Sequence, residues 1–149
     1  MSINKSLILT FDLEEWFHLC LDDEPPSWDK YERRFEKNVD YLIETLDQNN
    51  VKATFLVLGW IASKYPKIIR KISENGHDIG SHSNIHDLVF QQSEKEFEKD
   101  LIESLNILED VIDSKISIYR APAFSINAQS KWALEIIAAN GIKYDLSLF

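Results

Sequence analysis

The run Leu7-Ile8-Leu9-Thr10-Phe11, followed at once by Asp12-Leu13-Glu14-Glu15, decides how the rest of the chain is read. Five residues without polar alternation are the pattern of a parallel strand covered on both faces, and a cluster of carboxylates directly behind them puts charge at that strand's carboxyl end. The stretch from Asp12 to about Asp29 holds Pro25-Pro26 and reads as a long acidic and aromatic loop, a type of segment that is often functional.

Outward from this strand the sequence alternates short aliphatic runs with longer stretches of helical period. Phe35, Val39, Leu42, Ile43 and Leu46 recur at spacings of three and four and predict a helix over 32–49, ended by Asn49-Asn50. A second strand is expected over 51–58, then a turn, then a helix opening at Pro66 and closing at Asn75-Gly76. A short strand at 77–79 precedes a loop over 80–92. Ser93 with Glu96 forms a capping-box pattern ahead of the stripe Phe97, Leu101, Leu105 and Leu108. A fourth strand at 116–119, a helix at 131–140 closed by Gly141 and a fifth strand at 144–146 complete the pattern. Strands and helices in strict alternation predict an α/β fold with a parallel sheet, curled toward a barrel or doubly wound, with the chemistry at the carboxyl ends of the strands. Asp12, Glu14, His82, His86 and Arg120 all fall on that rim.

Composition bounds the function. The 149 residues suffice for a single domain with a core, and 44% hydrophobic with 28% charged residues fit a globular chain. A net charge of -9 with no basic stripe argues against a nucleic-acid partner. Cys20 is the single cysteine, which rules out an intrachain disulfide, fits a reducing compartment, and reads as a small buried apolar residue. The N-terminal apolar run is too short for a secretion signal or a membrane span, so no membrane span and a cytoplasmic location are the expectations.

Of four histidines, two lie in Ser81-His82-Ser83-Asn84-Ile85-His86. An i, i+4 pair directs both imidazoles at one ion if the intervening turn is helical, and imidazole suits zinc and its neighbours. On spacing alone, two surface histidines in a polar loop account for the pattern as well. A catalytic metal needs a third protein ligand, and Asp12 and Glu14, two residues apart, leave a strand on the same side. One carboxylate can bind an ion while the other accepts a proton from water. For Glu15 the favoured reading is that it caps or solvates the loop. Arg120 offers Asp12 a partner at the end of strand four, although a surface salt bridge is the bland alternative. The turn Ala121-Pro122-Ala123 can present a backbone N–H to a developing oxyanion.

Taken together, Thr10-Phe11-Asp12-Leu13-Glu14-Glu15-Trp16-Phe17, Gly76-His77-Asp78-Ile79-Gly80-Ser81-His82-Ser83-Asn84-Ile85-His86 and Arg120-Ala121-Pro122-Ala123-Phe124-Ser125-Ile126 resemble, in order and spacing, the first three motifs of the polysaccharide deacetylases with the NodB homology domain. Their wording is closest to the branch found with bacterial exopolysaccharide and exosortase loci. The resemblance implies a partial (β/α) barrel, with about five of seven βα units, over residues 1–149. It implies a metal-dependent hydrolase removing N-acetyl or O-acetyl groups from a polysaccharide or amino sugar, with an N-acetylated glycan as partner. Asp12 is then the general base, Arg120 its orienting partner, and the N–H of Ala123 the oxyanion donor. His82 and His86 become metal ligands, with Glu14 as the third and Glu15 in reserve, because Leu13 stands where many relatives carry a second aspartate. The ion implied is zinc, with cobalt, nickel or iron also compatible.

The family's later motifs, including a Leu-x-His whose histidine is the general acid, have no counterpart here, since no histidine follows His86. The 149-residue chain is therefore expected to deacetylate very slowly or not at all. The competing expectation is a non-catalytic remnant that keeps the metal site as a binding or interaction module. An open half-barrel is further expected to self-associate. His77 is assigned to the start of a core strand and His18 to the loop. Trp16, Phe17, Trp28 and Trp60 are candidates for stacking on sugar rings, with most of them expected in the core.

Overall fold

The structure, a computed structural model, describes residues 7–19 and 25–147; Cys20 lies outside them. Five strands, β1 (Thr10–Leu13), β2 (Thr54–Val57), β3 (Asp78–Ser81), β4 (Ile118–Tyr119) and β5 (Tyr144–Asp145), form one sheet in sequence order, and every neighbouring pair is parallel. The helices are α1 (Phe35–Gln48), α2 (Gly59–Lys64), α3 (Pro66–Glu74), α4 (Glu94–Ile112) and α5 (Trp132–Ala139). This is the α/β parallel sheet that the alternating pattern predicts, in the half-barrel form that the resemblance implies. β2 is buried along its whole length, with Phe55, Leu56 and Val57 fully inaccessible, as a strand covered on both faces must be. The apolar faces of α1, α3 and α4 pack onto one continuous core that includes Val39, Ile43, Ile69, Ile72, Leu101 and Leu108.

Several boundaries move, each for a physical reason. The first strand is not Leu7–Phe11: Leu7 and Ile8 are 86% and 78% exposed, and pairing begins at Thr10 opposite Thr54. The register with the four residues of β2 decides where β1 lies, and it carries Asp12 into the strand instead of behind it. β3 likewise runs two residues past Ile79, through Gly80 to Ser81. Gly80 reads as the start of a loop, but its bare backbone packs in the sheet; a Cβ there would meet Leu56 Cδ1 at 2.7 Å and Ile118 at 3.0 Å. Where the sequence suggests only a turn before Pro66, the short helix α2 forms and buries Gly59, Ile61 and Ala62. The Ser93–Glu96 capping box is present as expected, and Gly76 adopts φ +78° behind α3.

The start of α1 depends on a residue far away in sequence. Arg34, at its N-cap position, has no capping side chain of its own; instead Glu15 Oε1 accepts from the N–H groups of Arg34 (2.8 Å) and Phe35 (2.9 Å). Glu15 is buried, so its carboxylate supplies both a helix cap and favourable charge at the positive end of the helix. This contact fixes α1 against the segment that follows β1. Glu15→Ala is accordingly expected to lower unfolding free energy by about 2 kcal/mol, the scale of losing a charged acceptor to buried donors, measured by denaturant unfolding. A change within experimental error would show that the cap is not a stabilising contact.

Candidate active site

The carboxyl ends of β1, β3 and β4 converge. Glu14 follows β1 by one residue, His82 follows β3 by one residue, and Arg120 follows β4 by one residue. One ligand atom from each of Glu14, His82 and His86 lies within 4.8 Å of the others. His86 Nε2 is 2.8 Å and His82 Nε2 4.0 Å from Glu14 Oε2, and both imidazoles are buried. His82 Nδ1 is 2.9 Å from the carbonyl oxygen of Arg120, an arrangement in which Nδ1–H donates and the Nε2 lone pair is left facing Glu14. Metal-binding histidines normally have such an outer hydrogen bond. For His86, the buried Nδ1 has no partner among the described residues. Burial lowers the pKa of His82 against the raising effects of Asp12 and of the Arg120 carbonyl, which favours the neutral imidazole a metal requires. Burial works to raise the Glu14 carboxyl, but the hydrogen bond and charge of His86, with the charges of His82 and His18, leave it below its ordinary value. Two neutral-capable imidazoles and an ionised carboxylate are a donor set that fits a divalent transition metal.

The geometry of the histidine pair departs from expectation. The turn between His82 and His86 is not helical; Ser83 and His86 adopt φ +72° and +65°. The loop satisfies its own backbone: His82 N–H donates to the Val57 carbonyl, Ser83 N–H to Ser81 Oγ, and His86 N–H to Ser83 Oγ. From outside, the first N–H groups of α2 complete it, Gly59 donating to the Ser83 carbonyl and Trp60 to the Asn84 carbonyl. Gly59 must be glycine for this approach, since a Cβ would collide with the Asn84 side chain and lie 3.1 Å from the Ser104 backbone. The imidazole centroids end 5.4 Å apart.

Beside these three residues, Arg120 Nη1 donates to Asp12 Oδ1 at 2.6 Å and Nη2 to Thr10 Oγ1 at 2.9 Å. Thr10 is a partner that the sequence reading missed; its only signal was a polar residue inside the first apolar run. Asp12 is thus held by Arg120 and stands outside the three-residue ligand set. Ala123 lies in the turn Pro122–Phe124 with φ +48°, and the next residue, Phe124, has φ +53°. The N–H groups of Phe124 and Ser125 donate to Ala121 and Pro122, while that of Ala123 has no acceptor among the described residues.

The bystanders sort clearly. Glu15 is occupied with α1, as described above. His77 precedes β3, is buried, and accepts from Ala53 N–H at 3.2 Å through Nδ1. His18 is buried: its Nδ1 accepts from Glu15 N–H, its ring contacts Phe17, Trp28 and Trp60, and burial drops its pKa to about 4. Phe17 and Trp28 are core, Trp60 is half-buried, and Trp16 is exposed. No helix among the described residues is long and apolar enough to cross a membrane.

Comparison with known proteins shows the family and the fold. The chain is similar to a peptidoglycan-N-acetylglucosamine deacetylase of Bacillus cereus, 36% identical over 95 residues that cover 63% of this chain and 34% of that protein. It is also similar to the peptidoglycan-N-acetylglucosamine deacetylase PgdA of Listeria monocytogenes, 32% identical over 88 residues, covering 59% of this chain and 19% of that one. The chain therefore spans about a third or less of the length of these relatives. Among solved structures, that of a Mycobacterium smegmatis protein assigned to the polysaccharide deacetylases superposes with a TM-score of 0.78 at 28% identity, covering 93% of this chain and 49% of that one. A family profile described as polysaccharide deacetylase matches residues 3–144, almost the whole sequence, and the chain belongs to that family.

Proposed function

We propose that this chain carries the metal-binding and proton-accepting part of a hydrolase that removes N-acetyl, or O-acetyl, groups from a polysaccharide or amino sugar. One observation carries the reading: Glu14, His82 and His86 bring three ligand atoms together at the rim, with the Asp12–Arg120 pair beside them. Glu14, His82 and His86 would hold a divalent ion, zinc in this reading, whose chemistry there is Lewis-acid polarisation and a lowered pKa for water.

The remaining roles fall to the protein's own groups. Asp12 accepts the proton of the attacking water, and Arg120 aims that carboxylate by a charge-assisted hydrogen bond. The unengaged N–H of Ala123 stabilises the oxyanion that forms as the acetyl carbonyl becomes tetrahedral. The relatives are named for N-acetylglucosamine of peptidoglycan, which supports an N-acetylated glycan as substrate. The motif wording Asp12-Leu13-Glu14-Glu15-Trp16-Phe17 and Arg120-Ala121-Pro122-Ala123-Phe124-Ser125-Ile126 supports the exopolysaccharide-associated branch within the family. β1 and β5 are the edge strands of the described sheet, which supports self-association of the chain.

Two measurements test these assignments. Metal analysis after loading with zinc or cobalt is expected to find a single ion per chain, and His82→Ala and His86→Ala are each expected to lose it. Stoichiometry unchanged in both variants would move the metal elsewhere. Asp12→Asn is expected to keep the ion, since a carboxylate that takes a proton from water need not touch the metal. Loss of the ion from that variant would make Asp12 a ligand and overturn the division of labour with Glu14.

A further inference from the structure

Asp100, on α4, takes no part in the roles assigned above. It is half-buried, yet no lysine or arginine is paired with it among the described residues; the neighbouring Lys99 is directed to Glu103. It accepts instead from the loop that joins His82 to His86. Asn84 N–H donates to Asp100 Oδ2 at 2.9 Å, and the backbone N–H of Ile85 faces the same carboxylate closely enough to favour its charged form. Burial pushes the Asp100 carboxyl up to about 6, with Asn84 N–H pulling it down, Asp87 raising it, Ile85 N–H lowering it and Glu103 raising it. A carboxylate kept in so unfavourable a place, facing acids and no cation, is held there by the N–H of Asn84, with that of Ile85 beside it.

The loop's other N–H groups find acceptors elsewhere, His82 in β2, Ser83 at Ser81 Oγ of β3 and His86 at Ser83 Oγ, which leaves the N–H groups of Asn84 and Ile85 to face Asp100. They belong to the two residues immediately before His86, whose φ of +65° turns its imidazole back toward Glu14. α4 is also tied to the start of the loop through Ser104 Oγ, 2.8 Å from Ser81 Oγ. Two residues of one helix face, four apart, thus grip both ends of the segment that presents the imidazoles.

We propose that Asp100 is a positioning residue for the metal site: by binding the N–H of Asn84, beside that of Ile85, it fixes the backbone that sets His86 against His82 and Glu14. This rests on the reading of Glu14, His82 and His86 as metal ligands. Asparagine at position 100 has nearly the same shape but carries no charge and only one acceptor oxygen.

Cobalt(II) titration followed through the visible d–d bands tests it on the full chain. Asp100→Asn is expected to weaken cobalt binding by roughly ten- to a hundred-fold, the usual effect of removing an outer support of a metal ligand, and to alter the band envelope at saturation. A variant that is less stable to heat in its metal-free form but binds cobalt with wild-type affinity and spectrum would overturn the proposal, reducing Asp100 to a helix-to-loop tie. If the variant does not fold, the wild-type protein still decides: amide exchange by NMR is expected to show Asn84 protected, and exchange at the rate of open loop amides would refute the contact. A wild-type chain that takes up no cobalt would instead bring down the metal-site reading beneath it.

Discussion

The contact between Arg120 and Asp12 joins residues 108 positions apart and two strands that are not neighbours. β1 and β4 are separated by β2 and β3, so in a flat sheet three inter-strand steps would put them about 14 Å apart with their side chains standing parallel. Neither side chain could then reach the other without lying down along the sheet. They meet at 2.6 Å because the sheet curls, and both project into the concave side. The pair therefore measures the curvature that a half-barrel requires, and the same curvature brings Glu14 from β1 onto the histidines that follow β3.

Curvature alone does not hold a site, because the backbone at its rim is strained. Ser83, His86, Ala123 and Phe124 all have positive φ without being glycine. Each such residue costs of order 1–3 kcal/mol and persists only where its surroundings over-determine it. Here they do so through ordinary hydrogen bonds. The histidine loop is closed by serine hydroxyls, by the first N–H groups of α2 and by Asp100, and the Ala123 turn is pinned by Ala121 N–H donating to Ser147 Oγ at 2.8 Å. Glycine appears where side chains would obstruct this packing, at Gly59 under the histidine loop and at Gly80 between Leu56 and Ile118.

Periodicity made the order of strands and helices legible, because α1, α3 and α4 bury regular apolar faces and a parallel sheet leaves unbroken aliphatic runs. The rim residues were legible for the same reason, since strand ends are marked by where those runs stop. Boundaries were less so. Nothing local tells Leu7 and Ile8 that β2 is only four residues long, and nothing local tells Gly80 that its neighbour is Ile118. α2, at six residues, is too short for a helical period to register. The reach of Glu15 to the start of α1, and of Asp100 to Asn84, is a contact across 19 and 16 positions made by acids that look like any other surface carboxylate. The one hint for Asp100 was its place beside Phe97, Leu101 and Ser104, at the margin of the buried face of α4.

The stretch Asp12-Leu13-Glu14-Glu15, which spans the end of β1, shows how one tetrad divides its labour. Asp12 and Glu14 are two apart and meet the concave side, where an arginine and two histidines wait. Leu13 and Glu15 take the other direction: Leu13 enters the core, and Glu15 is buried against the first N–H groups of α1. Alternation along an extended chain is enough to separate them. What each carboxylate can do then follows from what it faces. Two backbone N–H groups bind Glu15 and leave it no route to an ion, a guanidinium holds Asp12 from one side without enclosing it, and Glu14 alone is opposite imidazole nitrogens. Shifting the register of β1 by a single residue would exchange these surroundings, so the pairing of Thr10 with Thr54, set by hydrogen bonds at the base of the strand, decides the chemistry available at its tip.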